Sequence, residues 1–194
     1  MQDAALFILR TLFDLYILTF ALRLILQWAR VDARNPFCQF ILRLTNPLVL
    51  PLRRALPPVG AVDSATLVAL LALQAALTWA LVQLACLADP GLMQLLALTI
   101  LRTLQLLLRI FFFAILIHVV LSWVSPGGYS PAAVLVDAIA NPLLAPFRRF
   151  IPPIAGIDLS PLFALILLQA LIVLLPLRDL VAGLLCRGGG QLLM

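Results

Sequence analysis

A shift of 95 residues, the distance from Trp28 to Trp123, lays this sequence over itself without a gap. Pro36 falls on Pro131, Asn46-Pro47 on Asn141-Pro142, Pro51 on Pro146, and Arg53-Arg54 on Arg148-Arg149. Pro57-Pro58 falls on Pro152-Pro153, Asp63 on Asp158 and Gln74 on Gln169. Composition bias in a Leu- and Ala-rich chain does not produce agreement at Trp, Asn, Asp and Gln, so the chain is read as a duplication. Its units are residues 1–94 and 95–194, the second ending in a short Gly-rich tail. Whatever one unit folds into must also suit the other.

Lipid is the expected solvent of both units. Apolar residues make up 64% of the chain and charged residues 11%, far from the balance of a soluble domain. A spanning helix needs about 20 mostly apolar residues. Four stretches qualify: Ala4 to Trp28, Ala65 to Leu87, Leu101 to Trp123, and Pro161 to Ala182. Trp28 and Trp123 close the first and third, where aromatic rings favour the headgroup level. Asp89-Pro90-Gly91 ends the second, and Pro176 kinks the fourth ahead of Arg178 and Asp179. The expected fold is an all-α membrane protein whose four transmembrane helices form two parallel tandem repeats of two helices. Each repeat adds a short interfacial amphipathic helix and a Pro-rich Arg-Arg segment. The start, Met1-Gln2-Asp3, lacks the basic cluster of a signal peptide and reads as the head of a retained anchor helix.

Parity constrains topology. Two crossings per unit start both units on the same side, so the repeats are expected to be parallel about a pseudo-two-fold axis along the membrane normal. Every cation is Arg and every anion is Asp, with a net charge of +5. The first connection carries Arg30, Arg34, Arg43, Arg53 and Arg54, the second Arg148 and Arg149, and the turn at Asp89 carries none. The positive-inside rule therefore places both connections in the cytoplasm, with that turn and both termini outside. Arg178 and Arg187 pull the other way. Guanidinium groups stay charged and grip phosphate oxygens in a planar fork, which suits anionic headgroups. The Arg residues are dispersed and form no basic stripe, so nucleic acid is not an expected partner.

Within each connection, Asn35-Pro36 and Ser130-Pro131 combine an N-cap residue with Pro at the first helical position. Asn46-Pro47 and Asn141-Pro142 are expected to end the helix, because a residue before Pro avoids the helical region. Phe37, Phe40, Ile41 and Leu44 form an apolar stripe, repeated by Ala132, Leu135, Val136 and Ile139. Such a helix lies in the interface, packs under the bundle, or caps it toward solvent. The pattern N-P-x-x-x-P-x-R-R-x-x-P-P then runs from Asn46 to Pro58 and from Asn141 to Pro153. Its Pro residues are expected to form a stiff, weakly hydrogen-bonded path that holds the Arg pair at a fixed height. Arg53, Arg54, Arg148 and Arg149 are read as lipid or partner contacts, or as topogenic charge alone.

This motif, closed by Asp63 and Asp158, resembles the YggT family, also called YlmG, of small bacterial and plastid membrane proteins. The family's repeat carries an Asn-Pro…Pro…Arg-Arg…Pro-Pro…Gly…Asp core, and the resemblance covers nearly the whole chain in two copies. Asp158-Leu159-Ser160-Pro161 keeps the family's Asp-Leu-Ser-Pro ending, whereas the first copy has Asp63-Ser64-Ala65-Thr66. The two copies therefore need not be equal in role. The resemblance implies a multi-pass protein of the bacterial inner membrane, ahead of a plastid membrane. It also implies links to osmotic-shock tolerance, division-gene neighbourhoods and assembly of membrane complexes. The reading it supports is a non-enzymatic scaffold or assembly factor. Its partners would be membrane lipids, including anionic headgroups, and other membrane proteins or further copies of the chain. An oligomeric ion or solute transport component is the alternative.

A charged group at the centre of a membrane helix costs about 2.5–3.5 kcal/mol. Arg10 and Arg23 lie near span ends and are expected to snorkel. Asp14 does not, and the shift superposes it on Arg109. The two are expected to pair near the pseudo-axis, with Gln74 and Gln169 completing an intramembrane polar cluster, structural or conductive. His118, one turn from Ser122, has no triad around it, and no catalytic site is expected. Cys38, Cys86 and Cys186 share no metal-ligand spacing, so neither metal nor cofactor is expected.

Overall fold

A computed structural model describes residues 2–57, 63–84, 91–124, 130–150 and 158–177, and its regular elements are all α-helices. Pro58, Pro152, Pro153, Cys86, Cys186, Asp89-Pro90, Arg178, Asp179 and Arg187 lie outside the described residues. The first helix, α1 (Gln2–Trp28), is free of Pro and Gly and rich in Leu, so nothing interrupts it for 27 residues. It stops in a Schellman turn. The Val31 N–H donates to the Leu26 carbonyl and the Arg30 N–H to the Gln27 carbonyl, each at 3.1 Å, with Arg30 at φ 53°.

The connection helices run further than the sequence suggests. In α2 (Pro36–Ala55) Asn35 caps the N-terminus, its Oδ1 accepting from the Phe37 N–H at 3.0 Å. α5 (Pro131–Phe150) starts alike, with Ser130 Oγ accepting from the Ala133 N–H at 3.1 Å. Neither helix ends at its Asn-Pro. Pro47 and Pro51 lie inside α2, and Pro142 and Pro146 inside α5. The expected stiff, weakly hydrogen-bonded Pro path is therefore helical up to Ala55 and Phe150, and the Arg pairs stand on the last turns. Packing overrides the local preference. Cys38, Ile41, Thr45 and Val49 hold one continuous buried face across the first Pro, while all four Pro residues are exposed. Each Pro removes one helical donor, and placing all four on the exposed side keeps that loss out of the core. The expected apolar stripe also divides: Ile41 turns into the core, whereas Phe37, Phe40 and Leu44 are exposed.

α3 (Ser64–Leu84) and α6 (Ser160–Leu174) follow α2 and α5, and α4 (Leu92–Val124) opens the second unit. Two stretches, Ser64–Gln83 and Leu92–Val124, are long and apolar enough to cross a membrane. Four were expected. α1 has the length but carries Arg10, Asp14 and Arg23, and α6 is apolar but has 15 described residues.

Packing within the first unit, of α1 with α2 and α3 and of α2 with α3, recurs as α4 with α5 and α6 and α5 with α6. The larger core centres on Phe20, Ala21 and Ile25 of α1, Val49 of α2 and Leu70 of α3, and draws in Ile110 of α4 and Ile139 of α5. A smaller one joins Ile115, Ala140, Leu144, Ala164 and Leu168 of the second unit. Contact between units is one-sided. α3 packs along α4 and α1 reaches α5, but among the described residues α6 does not contact α1, nor α2 contact α4. A two-fold axis would have made these pairs reciprocal.

Candidate functional site

Arg23 lies five residues from the end of α1 at Trp28, yet its side chain is only 2% exposed. It does not snorkel outward. One Nη donates to Thr45 Oγ1 at 2.6 Å and to Asn46 Oδ1 at 3.0 Å, both on α2. The other Nη stands 3.9 Å from Asp63 Oδ2, at the head of α3. Thr45 is aimed by its own bond to the Ile41 carbonyl, 2.7 Å away.

Asp63 Oδ2 is the hub. It accepts from Arg53 Nε at 3.1 Å and from the neighbouring Nη, from Thr66 Oγ1 at 2.7 Å, and from Gln27 Nε2 at 3.4 Å. One carboxylate thus ties the last turn of α1, the last turn of α2 and the first turn of α3. Burial alone would raise the Asp63 carboxyl. The hydrogen bonds from Arg53 and Thr66, with the Arg53 charge and Gln27, outweigh it and hold the pKa at about 2. Three buried polar atoms around the hub, Arg23 Nε, Gln27 Oε1 and Asp63 Oδ1, have no partner among the described residues.

The second unit keeps half of this arrangement. Arg148 Nε donates to Asp158 Oδ2 at 2.9 Å, and a further N–H of Arg148 donates to Asn141 Oδ1 at 3.1 Å. Asp158 Oδ1 accepts from the Ser160 N–H at 2.9 Å. Burial pushes the Asp158 carboxyl up, but Ser160 and Arg148 hold it below the ordinary range. The position of Arg23 is taken by His118, that of Thr45 by Ala140 and that of Thr66 by Pro161. With no buried guanidinium, this clamp stays open. Asp158 is 38% exposed, whereas Asp63 is 4% exposed. His118 turns instead to Asp137 on α5, Nδ1 to Oδ1 at 2.7 Å, and Ser122 bonds the Val119 carbonyl.

Each Arg pair therefore splits. Arg53 and Arg148 are clamped by the Asp ten residues on, while Arg54 and Arg149 are exposed and have no hydrogen bond or ion pair among the described residues. All four were expected as lipid or partner contacts; Arg53 and Arg148 are engaged by an Asp of the chain itself, which leaves Arg54 and Arg149 as the exposed guanidinium groups. Asp14 and Arg109 do not pair. Asp14 sits 3.6 Å from Arg10 on its own helix and within coulombic reach of Arg102, and Arg109 is exposed. Superposed positions would face each other across a two-fold axis, and the units are not so related. Gln74 is buried and Gln169 exposed, so they form no common cluster. Cys38 is a free thiol in the core, pushed up by burial and by Asp32.

A profile of the CCB3/YggT family matches residues 2–85 and 97–178, one match over each unit. The chain belongs to the CCB3/YggT family. An uncharacterised protein of Pseudomonas aeruginosa is 46% identical over 183 residues, covering 94% of this chain and 92% of its own. The YggT protein of Escherichia coli, also described as uncharacterised, is 37% identical over 85% of both chains. A Vibrio alginolyticus protein, described by its place in the region 3' of proC, is 41% identical over 84% of this chain and 88% of its own. No solved structure matches. Two family matches on one chain make the clamp a feature the CCB3/YggT unit presents twice here, once enclosed and once open.

Proposed function

We propose that this chain is a non-enzymatic, multi-pass protein of the bacterial inner membrane, a scaffold whose two interfacial helices grip anionic lipid headgroups through Arg54 and Arg149. The observation that carries this reading is the split of each Arg pair. The Asp clamp on Arg53 and Arg148 fixes the end of the helix, and the next guanidinium is left exposed beside exposed apolar side chains, Leu50 in α2 and Phe150 in α5. A charged fork beside apolar anchors is what a helix lying at the headgroup level requires. Four crossings are supported by the apolar side chains that α1 and α6 expose as freely as α4 does, such as Leu12, Phe113 and Ile166. The clamps and both Arg pairs then face the cytoplasm.

The alternative, an ion or solute pathway, draws on buried Thr78 of α3 and Thr99 and Thr103 of α4. It is the weaker reading, because these hydroxyls already donate to carbonyls one turn back. The headgroup reading is tested on purified, delipidated protein titrated with phosphatidylglycerol or phosphatidylcholine. Phosphatidylglycerol should raise the melting temperature more, and Arg54→Gln with Arg149→Gln should abolish the difference. Equal responses in the wild type, or a difference that survives in the double variant, would overturn it.

A further inference from the structure

Among the described residues, the one-sided contact between the units leaves two faces uncovered. α3 packs along α4, and across this seam Arg102 on α4 donates to Thr78 on α3 at 3.4 Å. Leu70 and Leu77 of α3 and Thr103 and Ile110 of α4 are all buried. The internal repeat carries the Thr78 position to Val173 on α6 and the Arg102 position to Phe7 on α1. Thr78 is 0% exposed, yet Val173 is 74% and Phe7 is 67% exposed. Ile8 and Leu15, equivalent to Thr103 and Ile110, are exposed as well. Where the internal seam has a polar pair, the two free faces present an apolar pair.

We propose that the α6 face of one chain docks on the α1 face of a second copy, repeating between chains the α3–α4 seam within the chain. The step that takes the first unit to the second, applied once more, takes α3 against α4 to α6 against the next chain's α1. The interface is therefore heterologous: each copy uses two different faces, and repetition propagates head to tail, closing into a ring where the rotation between copies allows. The occupant is a second copy because the chain already contains one instance of this seam. The proposal goes beyond the headgroup reading and stands whether or not Arg54 and Arg149 bind lipid.

The test is disulfide crosslinking in native membranes, with Cys38, Cys86 and Cys186 replaced by Ser. One tagged chain carries Phe7→Cys, and a differently tagged chain carries Val173→Cys. Oxidation should join the two unlike chains at least tenfold more than either like pair, and a chain carrying both substitutions should give a ladder of multimers. Thr78→Cys with Arg102→Cys, which should close within one chain, shows that the fold survives and the oxidant reaches this depth. With that control positive, predominantly like-with-like products would replace the head-to-tail seam by an isologous dimer. No interchain product would leave both faces to lipid. Either result overturns the proposal.

Discussion

Asp63→Asn and Asp158→Asn are the same substitution at equivalent positions of the two units, and the structure gives them different consequences. Asp63 is the acceptor shared by Arg53, Thr66 and Gln27, with the charge of Arg23 beside it. Neutralising it strands a guanidinium that is 2% exposed, and breaking a buried pair of this kind costs about 3–5 kcal/mol. Asp158 and Arg148 are both more than a third exposed, so water takes over most of what the partner supplied. An exposed pair contributes about 0–1 kcal/mol. At about 2–4 °C per kcal/mol for a chain of this size, Asp63→Asn should lower the melting temperature in detergent by roughly 6–20 °C. Asp158→Asn should lower it by less than about 4 °C on the same scale. Combining Arg23→Met with Asp63→Asn should cost clearly less than the sum of the single losses. Equal falls for the two Asn variants would refute the claim that one clamp is enclosed and the other open.

The pH dependence follows from the same carboxylate. Its folded pKa of about 2 lies below the unfolded value of about 3.9, so the stabilisation is complete above pH ~4 and is lost as pH falls through about 2. The stability gap between wild type and Asp63→Asn should therefore hold from pH 7 to pH 5 and narrow from pH 4 to pH 2; a gap as wide at pH 2 as at pH 7 would count against it. Arg30 occupies the left-handed position of the Schellman turn at φ 53°, where a Cβ is unfavourable. Arg30→Gly should raise stability by about 0.5–1 kcal/mol, read as a higher melting temperature; a fall would assign the Arg30 side chain a contact that outweighs the backbone gain.

Periodicity and caps were legible where a local rule and the packing agree. Asn35-Pro36 and Ser130-Pro131 start helices for the reasons their chemistry gives, and the repeat places equivalent helices in equivalent order. Asn46-Pro47 misled because the preference of a residue before Pro is local, whereas the buried face from Cys38 to Val49 belongs to the whole first unit. The Arg-Asp clamp is visible in the spacing of the motif but not in its composition, so the division between Arg53 and Arg54 emerges only with the helix phase. Arg23 was the larger omission. Read as a cation near a span end it should reach outward, and nothing local says that Thr45, Asn46 and Asp63 wait on the inner side. A signal existed: the shift lays Arg23 over His118, a basic residue over a basic residue, at the same depth. Asp14 and Arg109 were matched by a symmetry that the sequence allows and the packing does not adopt.

Among the described residues, all the partners of the enclosed cluster lie between Arg23 and Thr66, so they are synthesised before any residue of α4. A nascent chain stalled just after α3 already carries every group needed to neutralise its one deeply enclosed cation. The clamp of the second unit ties α5 to α6, and His118 ties α4 to α5, and among the described residues of this unit no cation is as little exposed as Arg23. The polar cluster of the first unit is thus complete within its own stretch of chain, whereas the apolar core beside it is complete only with Ile110 of α4 and Ile139 of α5.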